Sequence, residues 1–339
     1  MDVMEYIPPI IEKAPLSMQA VFDTIGDEIG KVDQEFRKNL GSGVAIITDI
    51  GEYLRRSGGK RFRAKLLLLS SRLCGYEGDL HVQMASLIEF IHTATLLHDD
   101  VVDRAELRRG IKSANTIWGD QACVLVGDFL FTKSFSLLVN AGNWKILQVV
   151  SEATTLMAEG ELAELIQTNE VDLREEDYLS IIRRKTAYLI SAAAQIGAIL
   201  AGVPDVKEKA LAEFGMGLGI AFQLIDDLLD YTSREEEFGK KIGIDLQEGK
   251  ITLPLILALT RCTEAERMSI REKVESRPLT REAFFDVVKI IERHRGIEDT
   301  RRRAQGYVDR AKQCLTLFPP SKEREALDAM ADYILQRKL

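Results

Sequence analysis

Two segments of this chain carry three aspartates at the same spacing, a pattern that could bind metal ions. Residues 96–103 read LLHDDVVD, and residues 222–230 read FQLIDDLLD. On a helix, residues three and four positions apart share one face, where like charges repel each other. Carboxylates crowded beside aliphatic residues suit Mg²⁺, which binds phosphate oxygens with its remaining positions. The aspartates concerned are Asp99, Asp100, Asp103, Asp226, Asp227 and Asp230.

A solvated acidic patch is the other interpretation of either segment taken alone. Two clusters of the same geometry, each between aliphatic residues, favour the metal interpretation. If the two helices face each other across a cavity, their carboxylates can hold several divalent ions between them. Such an array would neutralise the charge of a bound diphosphate.

Four segments with basic residues could bind the phosphates. Residues 58–63 (GGKRFR) place cations at a helix start, where anions are favoured, although a solvated basic turn is the alternative. Residues 108–110 (RRG) follow the first aspartate cluster by only five positions. Residues 183–186 (RRKT) could instead snorkel from a helix end. The loop at residues 239–250, rich in lysine and glycine, could close over an anion or be an ordinary surface loop.

Helices must position these groups, because apolar residues recur at helical spacing and no convincing period of two is present. We therefore predict an all-α chain with one domain over residues 1–339, of which residues 1–20 are an irregular lead-in. The predicted helices cover residues 16–40, 42–54, 63–74, 81–107, 118–138, 145–169, 175–202, 207–231, 253–261, 281–296, 298–317 and a last helix from 321.

Composition excludes several classes of function. The net charge of −8 argues against nucleic acid as a partner. The four cysteines lack CxxC spacing, so neither a disulfide framework nor a zinc site is expected. The first residues lack the features of a signal peptide, and the most membrane-like run, residues 186–203, fits a buried helix better than a membrane span. We expect a cytoplasmic protein without a transmembrane segment.

These segments together resemble the all-trans polyprenyl diphosphate synthases, most closely the long-chain, octaprenyl-type bacterial members. The matching motifs are GGKRFR, LLHDDVVD followed by LRRG, VGDFL, RRKTAYL, FQLIDDLLDY and GKKIGIDLQEGKITLPL, and they occur in the family's order. The resemblance implies a bundle of antiparallel helices around a deep central cavity, normally in a homodimer. It also implies that an allylic diphosphate is elongated with isopentenyl diphosphate.

The resemblance also implies a role for each matching residue. Asp99 and Asp103 correspond to ligands of two Mg²⁺ ions and Asp226 to a ligand of a third, while the other three aspartates support the metals and their waters. The residues implied to hold isopentenyl diphosphate are Lys60, Arg63, His92 and Arg109. Those implied to hold the allylic diphosphate are Arg108, Lys185, Lys250 and either Lys240 or Lys241, of which we favour Lys240. Thr186 and Gln223 are implied to lie near the reacting carbons.

Three other functions compete with this prediction. A class I terpene synthase shares the fold, but it needs no second diphosphate site such as GGKRFR would provide. A non-catalytic subunit of a heteromeric synthase usually lacks one or both aspartate motifs, and both are present here. A helical scaffold with acidic faces would not bind diphosphate in a magnesium-dependent manner.

The first aspartate helix also suggests how long the product is. Ala94 and Thr95 lie about one helical turn, or about 5.4 Å, before Asp99. Short-chain members of the family often have an aromatic residue at one of these positions, and both residues are small here. We therefore expect a medium or long product, with octaprenyl (C40) diphosphate favoured and geranylgeranyl (C20) diphosphate the alternative. A quinone side chain is the usual fate of such long products.

Overall fold

The computed structural model describes residues 25–232, 243–276 and 278–337. These residues are almost entirely helical, which confirms the predicted all-α class. The helices up to the second aspartate motif are α1 (Gly26–Leu40), α2 (Ala45–Arg56), α3 (Phe62–Leu73), α4 (Leu80–Val102), α5 (Ala114–Trp118), α6 (Asp120–Ala141), α7 (Trp144–Ile166), α8 (Glu175–Ile182), α9 (Tyr188–Ala201) and α10 (Asp205–Thr232). The later helices are α11 (Ile244–Glu248), α12 (Leu253–Leu259), α13 (Glu264–Glu275), α14 (Arg281–Arg293), α15 (Gly296–Cys314) and α16 (Lys322–Gln336).

The centre of the bundle is formed by the helices with the most continuous apolar sequence. Helix α9 is buried over most of its length and packs against α3, α7 and α10. Helix α10 packs against α15 on another side, and α4 packs against α6. Both aspartate motifs lie at the C-terminal ends of buried helices, α4 and α10. The predicted burial of the apolar run at residues 186–203 is confirmed.

The first aspartate helix is shorter than predicted. It ends at Val102, with Asp103 as its C-cap, whereas the prediction extended it to Leu107. Beyond it, the two-residue strands β1 (Leu107–Arg108) and β2 (Ile111–Lys112) form a small hairpin. Its two turn residues, Arg109 and Gly110, have φ angles of 53° and 80°. A two-residue turn with positive φ at both positions suits the twist of a hairpin, and that turn chemistry ends the helical segment.

The predicted helix over residues 175–202 is interrupted. Residues Arg183–Ala187 form a π-helical segment between α8 and α9. A π-helical segment widens the helix locally and is frequent at functional sites. It contains Lys185 and Thr186, two of the predicted site residues.

Three short or polar helices escaped prediction: α5, α11 and α13. The sequence did carry one sign of α13, because Thr263 and Glu266 form a reciprocal capping box at its start. The predicted lead-in at residues 1–20 lies outside the described residues.

Within the described part of the chain, α6 alone is long and apolar enough to cross a membrane. Only a third of its most apolar window is buried inside the protein, so much of its apolar surface faces outward.

Candidate active site

The carboxylates of the two aspartate motifs meet cationic side chains from the neighbouring segments. Asp103 lies 3.3 Å from the ammonium of Lys250, which follows the second motif in the chain. Asp226 pairs with Arg337, at 2.7 Å, just beyond helix α16. The Asp103–Lys250 contact brings the end of the first aspartate helix to the loop after α11.

The surroundings of Asp99 favour a bound cation. Burial raises the pKa of its carboxyl to about 7, and the nearby charges of Glu161 and Asp103 add to this effect. Lys185 and Arg108 act in the opposite direction without cancelling it. A carboxylate held beside other carboxylates in a buried position is stabilised by any cation that binds there.

Glu161 and Glu164 of α7 belong to this site, although the sequence analysis did not identify them. The Lys185 ammonium lies 2.8 Å from Glu161 and 2.5 Å from Glu164. Gly160 makes this approach possible, because a Cβ atom there would lie 2.6 Å from the Lys185 backbone nitrogen. The i,i+3 carboxylates of the sequence GELAEL were the signal that could have revealed this face.

The two lysines between the acidic groups are firmly protonated. Burial alone would lower the pKa of Lys185, but Glu164 and Glu161 raise it above its usual value. Burial would likewise lower the pKa of Lys250, but the nearby charges of Glu164 and Asp103 raise it above its usual value. Both side chains are therefore permanent cations beside the aspartates.

A chain of hydrogen bonds connects the π-helical segment to the second motif. Thr186 Oγ1 donates to Gln223 Oε1 at 2.9 Å, and Gln223 Nε2 donates to Asp227 Oδ1 at 2.8 Å. The buried Tyr178 hydroxyl donates to the other oxygen of Asp227. Tyr178, like the α7 glutamates, was not identified from sequence. Because both Asp227 oxygens are occupied, this aspartate fixes Gln223 and Thr186 in position.

Asp230 performs a similar anchoring role. Its two carboxylate oxygens accept the backbone N–H groups of Ile244 and Asp245, each at 3.1 Å. These bonds tie the end of α10 to the start of α11. The predicted lysines Lys240 and Lys241 lie outside the described residues.

A second group of cations lies around the start of α3. A Cβ atom on Gly59 would lie 2.9 Å from Arg109 Nη1, so the glycine lets this guanidinium lie against the backbone. Burial lowers the pKa of His92 well below its usual value, and the charges of Arg63 and Arg109 lower it further. The structure thus brings Arg63, His92 and Arg109, three of the predicted residues, together beside Gly59.

Two atoms of this second group point to an anionic ligand. The buried Nε of Arg63 has no hydrogen-bond partner among the described residues. The Lys60 ammonium donates to the hydroxyl of Tyr333 on α16 and lies 4.8 Å from the centre of that ring. A buried donor without a partner is costly, and a bound phosphate oxygen would satisfy it.

Two charged residues of the motifs are structural. Asp100 is completely buried and accepts hydrogen bonds from Arg108 at 2.6 and 2.7 Å, so it does not share the face of Asp99 and Asp103 as the spacing predicted. The 100° step between adjacent helical residues separates it from Asp99. Arg61 pairs with Asp33 and Glu89 rather than pointing to the site.

The two predicted chain-length residues lie in different surroundings. Ala94 is completely buried in an apolar cluster that includes Phe36, Phe90 and Leu130. Thr95 is partly exposed, and its hydroxyl donates to the His92 carbonyl at 2.9 Å.

The donor set suits divalent cations, with one restriction. Among the described residues, no three metal-binding side chains are close enough to form a complete site by themselves. Mg²⁺ usually binds through one or two carboxylates and completes its coordination with water and substrate phosphates. Asp99, Asp103 and Asp226 therefore fit metals that bind together with a phosphorylated ligand.

The sequence matches the pattern of the polyprenyl synthetase family over residues 44–291. It is 42% identical over 322 residues to the octaprenyl diphosphate synthase of Escherichia coli, covering 95% of this chain and 99% of that one. It is 38% identical to the all-trans-nonaprenyl-diphosphate synthase of Rhodobacter capsulatus, covering 94% of this chain and 98% of that one.

A solved structure gives the same result. The polyprenyl synthase of Caulobacter crescentus, complexed with calcium and isoprenyl diphosphate, superposes with a TM-score of 0.91. The two chains are 39% identical, and the alignment covers 96% of this chain and all of the other.

Proposed function

This chain belongs to the polyprenyl synthetase family and is a prenyl diphosphate synthase, and from that premise we propose that its product is octaprenyl diphosphate. Enzymes of this family elongate an allylic diphosphate with isopentenyl diphosphate. The observation that carries the two-substrate reaction is the presence of two separate cationic groups, one beside the aspartates and one around Gly59. The chain length rests on the named relatives and on the residues of α4.

The allylic diphosphate is assigned to the aspartate side of the site. Lys185 and Lys250 supply fixed positive charge there, and Arg108 is held beside it by Asp100. Asp99, Asp103 and Asp226 would hold magnesium, three ions in all, with Glu161 and Glu164 as further carboxylates facing them. Bound magnesium stabilises the negative charge that develops on the departing diphosphate.

Isopentenyl diphosphate is assigned to the group around Gly59. Arg63, with its buried Nε lacking a described partner, and Arg109 offer several donors to phosphate oxygens. Lys60 adds a charge from the same loop. The neutral His92 can donate one hydrogen bond without adding a charge.

The reaction follows from this arrangement. The allylic C–O bond breaks, and the double bond of isopentenyl diphosphate attacks the carbocation, forming a new C–C bond. Thr186 and Gln223 present uncharged oxygens toward the cation, held in place by Asp227 and Tyr178. This addition leaves a new carbocation on the isopentenyl part, which loses a proton. The proton passes to the departing diphosphate, because Thr186 and Gln223 are weak bases. The apolar walls exclude water, which would otherwise quench the cation.

A long product is supported by Ala94 and Thr95, whose small side chains would obstruct a growing chain along α4 less than aromatic ones. Full-length relatives named for octaprenyl and nonaprenyl products support the same range. Geranylgeranyl diphosphate remains the alternative product. Use of the product for quinone side chains fits a long chain.

We propose a cytoplasmic homodimer that forms through α6 and α7. Leu125 and Val139, 14 residues apart, lie on one face of α6, and Leu125 is 67% exposed. Ile166 of α7 is 78% exposed, with Leu162 and Leu165 exposed beside it. An apolar surface of this kind marks an interaction site, and a second copy of the chain would cover it.

An assay of purified protein with farnesyl diphosphate and Mg²⁺ tests the proposed activity. We expect prenyl transfer only when isopentenyl diphosphate is also present. Release of diphosphate with formation of a hydrocarbon or alcohol in its absence would instead identify a terpene synthase. No turnover under either condition would favour a non-catalytic subunit.

A further inference from the structure

A second concave site lies on the outside of the bundle, between α10 and α15. This groove has a volume of about 710 Å³, within the range of small-molecule sites. Its lining residues are Arg183, Val206, Lys209, Ala210, Glu213, Met216, Gly217, Ile220, Tyr307, Arg310, Ala311, Gln313, Cys314 and Leu317. None of the residues assigned above to substrate or metal is among them.

The groove is separate from the aspartates but adjoins the catalytic segment. Met216 precedes Asp226 by ten residues on α10, which is about 15 Å along the helix axis. Arg183 lines the groove and is also the first residue of the π-helical segment. The same short segment places Lys185 and Thr186 in the active site.

The groove offers an apolar surface to a ligand. Met216 on α10 is partly exposed, whereas Ile220, one turn further along, and Ala311 on α15 are buried and form the floor of the groove. At the edges, Val206 is 60% exposed and Leu317 is 50% exposed. Apolar side chains left open in a concave surface favour a hydrocarbon ligand.

Positive charge surrounds this apolar surface. Arg183, Lys209 and Arg310 are exposed, and none of them forms an ion pair with a described residue. Arg303, two turns before Arg310 on α15, does have such a partner, Glu175 at 3.1 Å. Among the described residues that line the groove, Glu213 is the only acidic one. The groove is thus locally cationic in a chain whose net charge is −8.

We propose that this groove binds a prenyl diphosphate, the class of molecule that the enzyme makes, at a site distinct from the catalytic one. The tail would lie over Val206, Met216 and Leu317, and the diphosphate would face Lys209 and Arg310. This ligand rests on the proposed function. It fits better than inorganic diphosphate, which leaves the apolar surface bare, or than a neutral alcohol, which offers no negative charge to the three cations.

Cys314 allows a direct test, because it is partly exposed and lines the groove. Alkylation of each cysteine is followed by mass spectrometry, in EDTA, with farnesyl diphosphate as the probe. We expect the probe to slow alkylation of Cys314 and not of Cys262, which is also partly exposed but lies elsewhere. Farnesol and inorganic diphosphate at the same concentration should leave both rates unchanged.

A charge reversal identifies the anion site. The variant Lys209→Glu/Arg310→Glu should require at least about tenfold more farnesyl diphosphate for the same protection, equal to about 1.4 kcal/mol. Arg301→Glu, an exposed arginine of α15 outside the groove, is the matched control and should behave as the wild type. Each variant should keep its rate of prenyl transfer at low product concentration.

Several results would overturn the proposal. One is an alkylation rate of Cys314 that farnesyl diphosphate leaves unchanged, and another is equal protection by farnesol. A third is protection that survives the charge reversal. Protection by phosphatidylglycerol vesicles alone would instead identify a membrane-facing surface. The prenyl transfer assay is independent of this footprint. Elongation without protection contradicts only the groove, whereas protection without elongation contradicts only the proposed activity.

Discussion

At the scale of single residues, the site consists of acidic and basic side chains that form ion pairs with one another. Lys185 lies between Glu161 and Glu164, Lys250 lies beside Asp103, and Arg337 pairs with Asp226. Metals and diphosphates bring opposite charges of their own. Binding would therefore exchange these internal pairs for metal–carboxylate and lysine–phosphate pairs, with little net change in buried charge.

Asp99 should destabilise the metal-free protein at neutral pH. Its pKa is raised to about 7 in the folded state, against about 3.9 when unfolded, so the folded state binds more protons between these values. The contribution of the Asp99 carboxyl to the free energy of unfolding is complete below the unfolded pKa and is lost as pH rises through the folded pKa. We expect Asp99→Asn to melt above the wild type by about 1–2 °C or more in EDTA, with an advantage that grows up to pH 7 and then levels off.

The control for this experiment is Asp49→Asn, an exposed aspartate of α2. It should show no such pH-dependent gain. Asp99→Asn should also lose turnover with magnesium present. An advantage that shrinks as pH rises, or near wild-type activity in this variant, contradicts the role assigned to Asp99.

The two diphosphate positions predict opposite kinetic effects. Lys60→Ala or Arg63→Ala removes a charge-assisted hydrogen bond worth about 1.5–3 kcal/mol, so KM for isopentenyl diphosphate should rise about 10–100-fold. KM for the allylic substrate should change much less. Lys250→Ala is the reciprocal variant and should mainly raise the allylic KM. Steady-state kinetics in which each variant affects both substrates equally would mean that the two positions are wrongly assigned.

At the scale of elements, the long helices could be predicted because each buries a continuous apolar face. The C-terminal end of α4 and the start of α9 could not be predicted, since they depend on turn chemistry and packing. Arg109 and Gly110 take positive φ in a hairpin that hydrophobic periodicity does not reveal. The π-helical segment lies where Gly160 lets α7 come close to Lys185, a contact 25 residues away in sequence that hydrophobic periodicity does not reveal.

The same distinction explains which site residues were found. The aspartates, Lys60 and Arg63 lie in motifs with their own spacing, so the sequence suggested them, whereas His92 was suggested by the resemblance alone. Tyr178 carries no local sign of its role, and the only sign of Glu164 is its i,i+3 spacing from Glu161. They reach the site only because α7 and α8 pack beside the π-helical segment.

Helix α4 also determines product length in this account. Ala94→Tyr should shift the product to C15 or C20 while the first condensation continues, because a phenol would obstruct the path beside α4. Ala94 is completely buried, so overpacking should also cost about 1–3 kcal/mol of stability. Product length is measured by chromatography, and melting temperature confirms that the variant is folded. Ala94→Ser, with a small side chain, is the control and should keep the wild-type product.

Full-length product from folded Ala94→Tyr would mean that the chain does not pass this residue. Thr95, which is less buried, would then be the position to substitute.

At the scale of the whole molecule, the exposed apolar face of α6 and α7 predicts self-association. Leu165→Glu/Ile166→Glu should convert a homodimer to a monomer, measured by size-exclusion chromatography with light scattering. Met268→Glu, at a residue 56% exposed on α13, is the matched control and should leave the mass unchanged. A wild-type protein that is already a monomer, or a double variant that remains a dimer, contradicts this interface.

The central claim concerns what the assembled site makes. The most direct measurement is mass spectrometry of the products formed from farnesyl diphosphate, excess isopentenyl diphosphate and Mg²⁺. We predict octaprenyl diphosphate, C40, as the main product, formed by five successive additions and absent without either substrate or the metal. A product that stops at C20 would contradict the assigned chain length, and turnover of farnesyl diphosphate that incorporates no isopentenyl units would contradict the function itself.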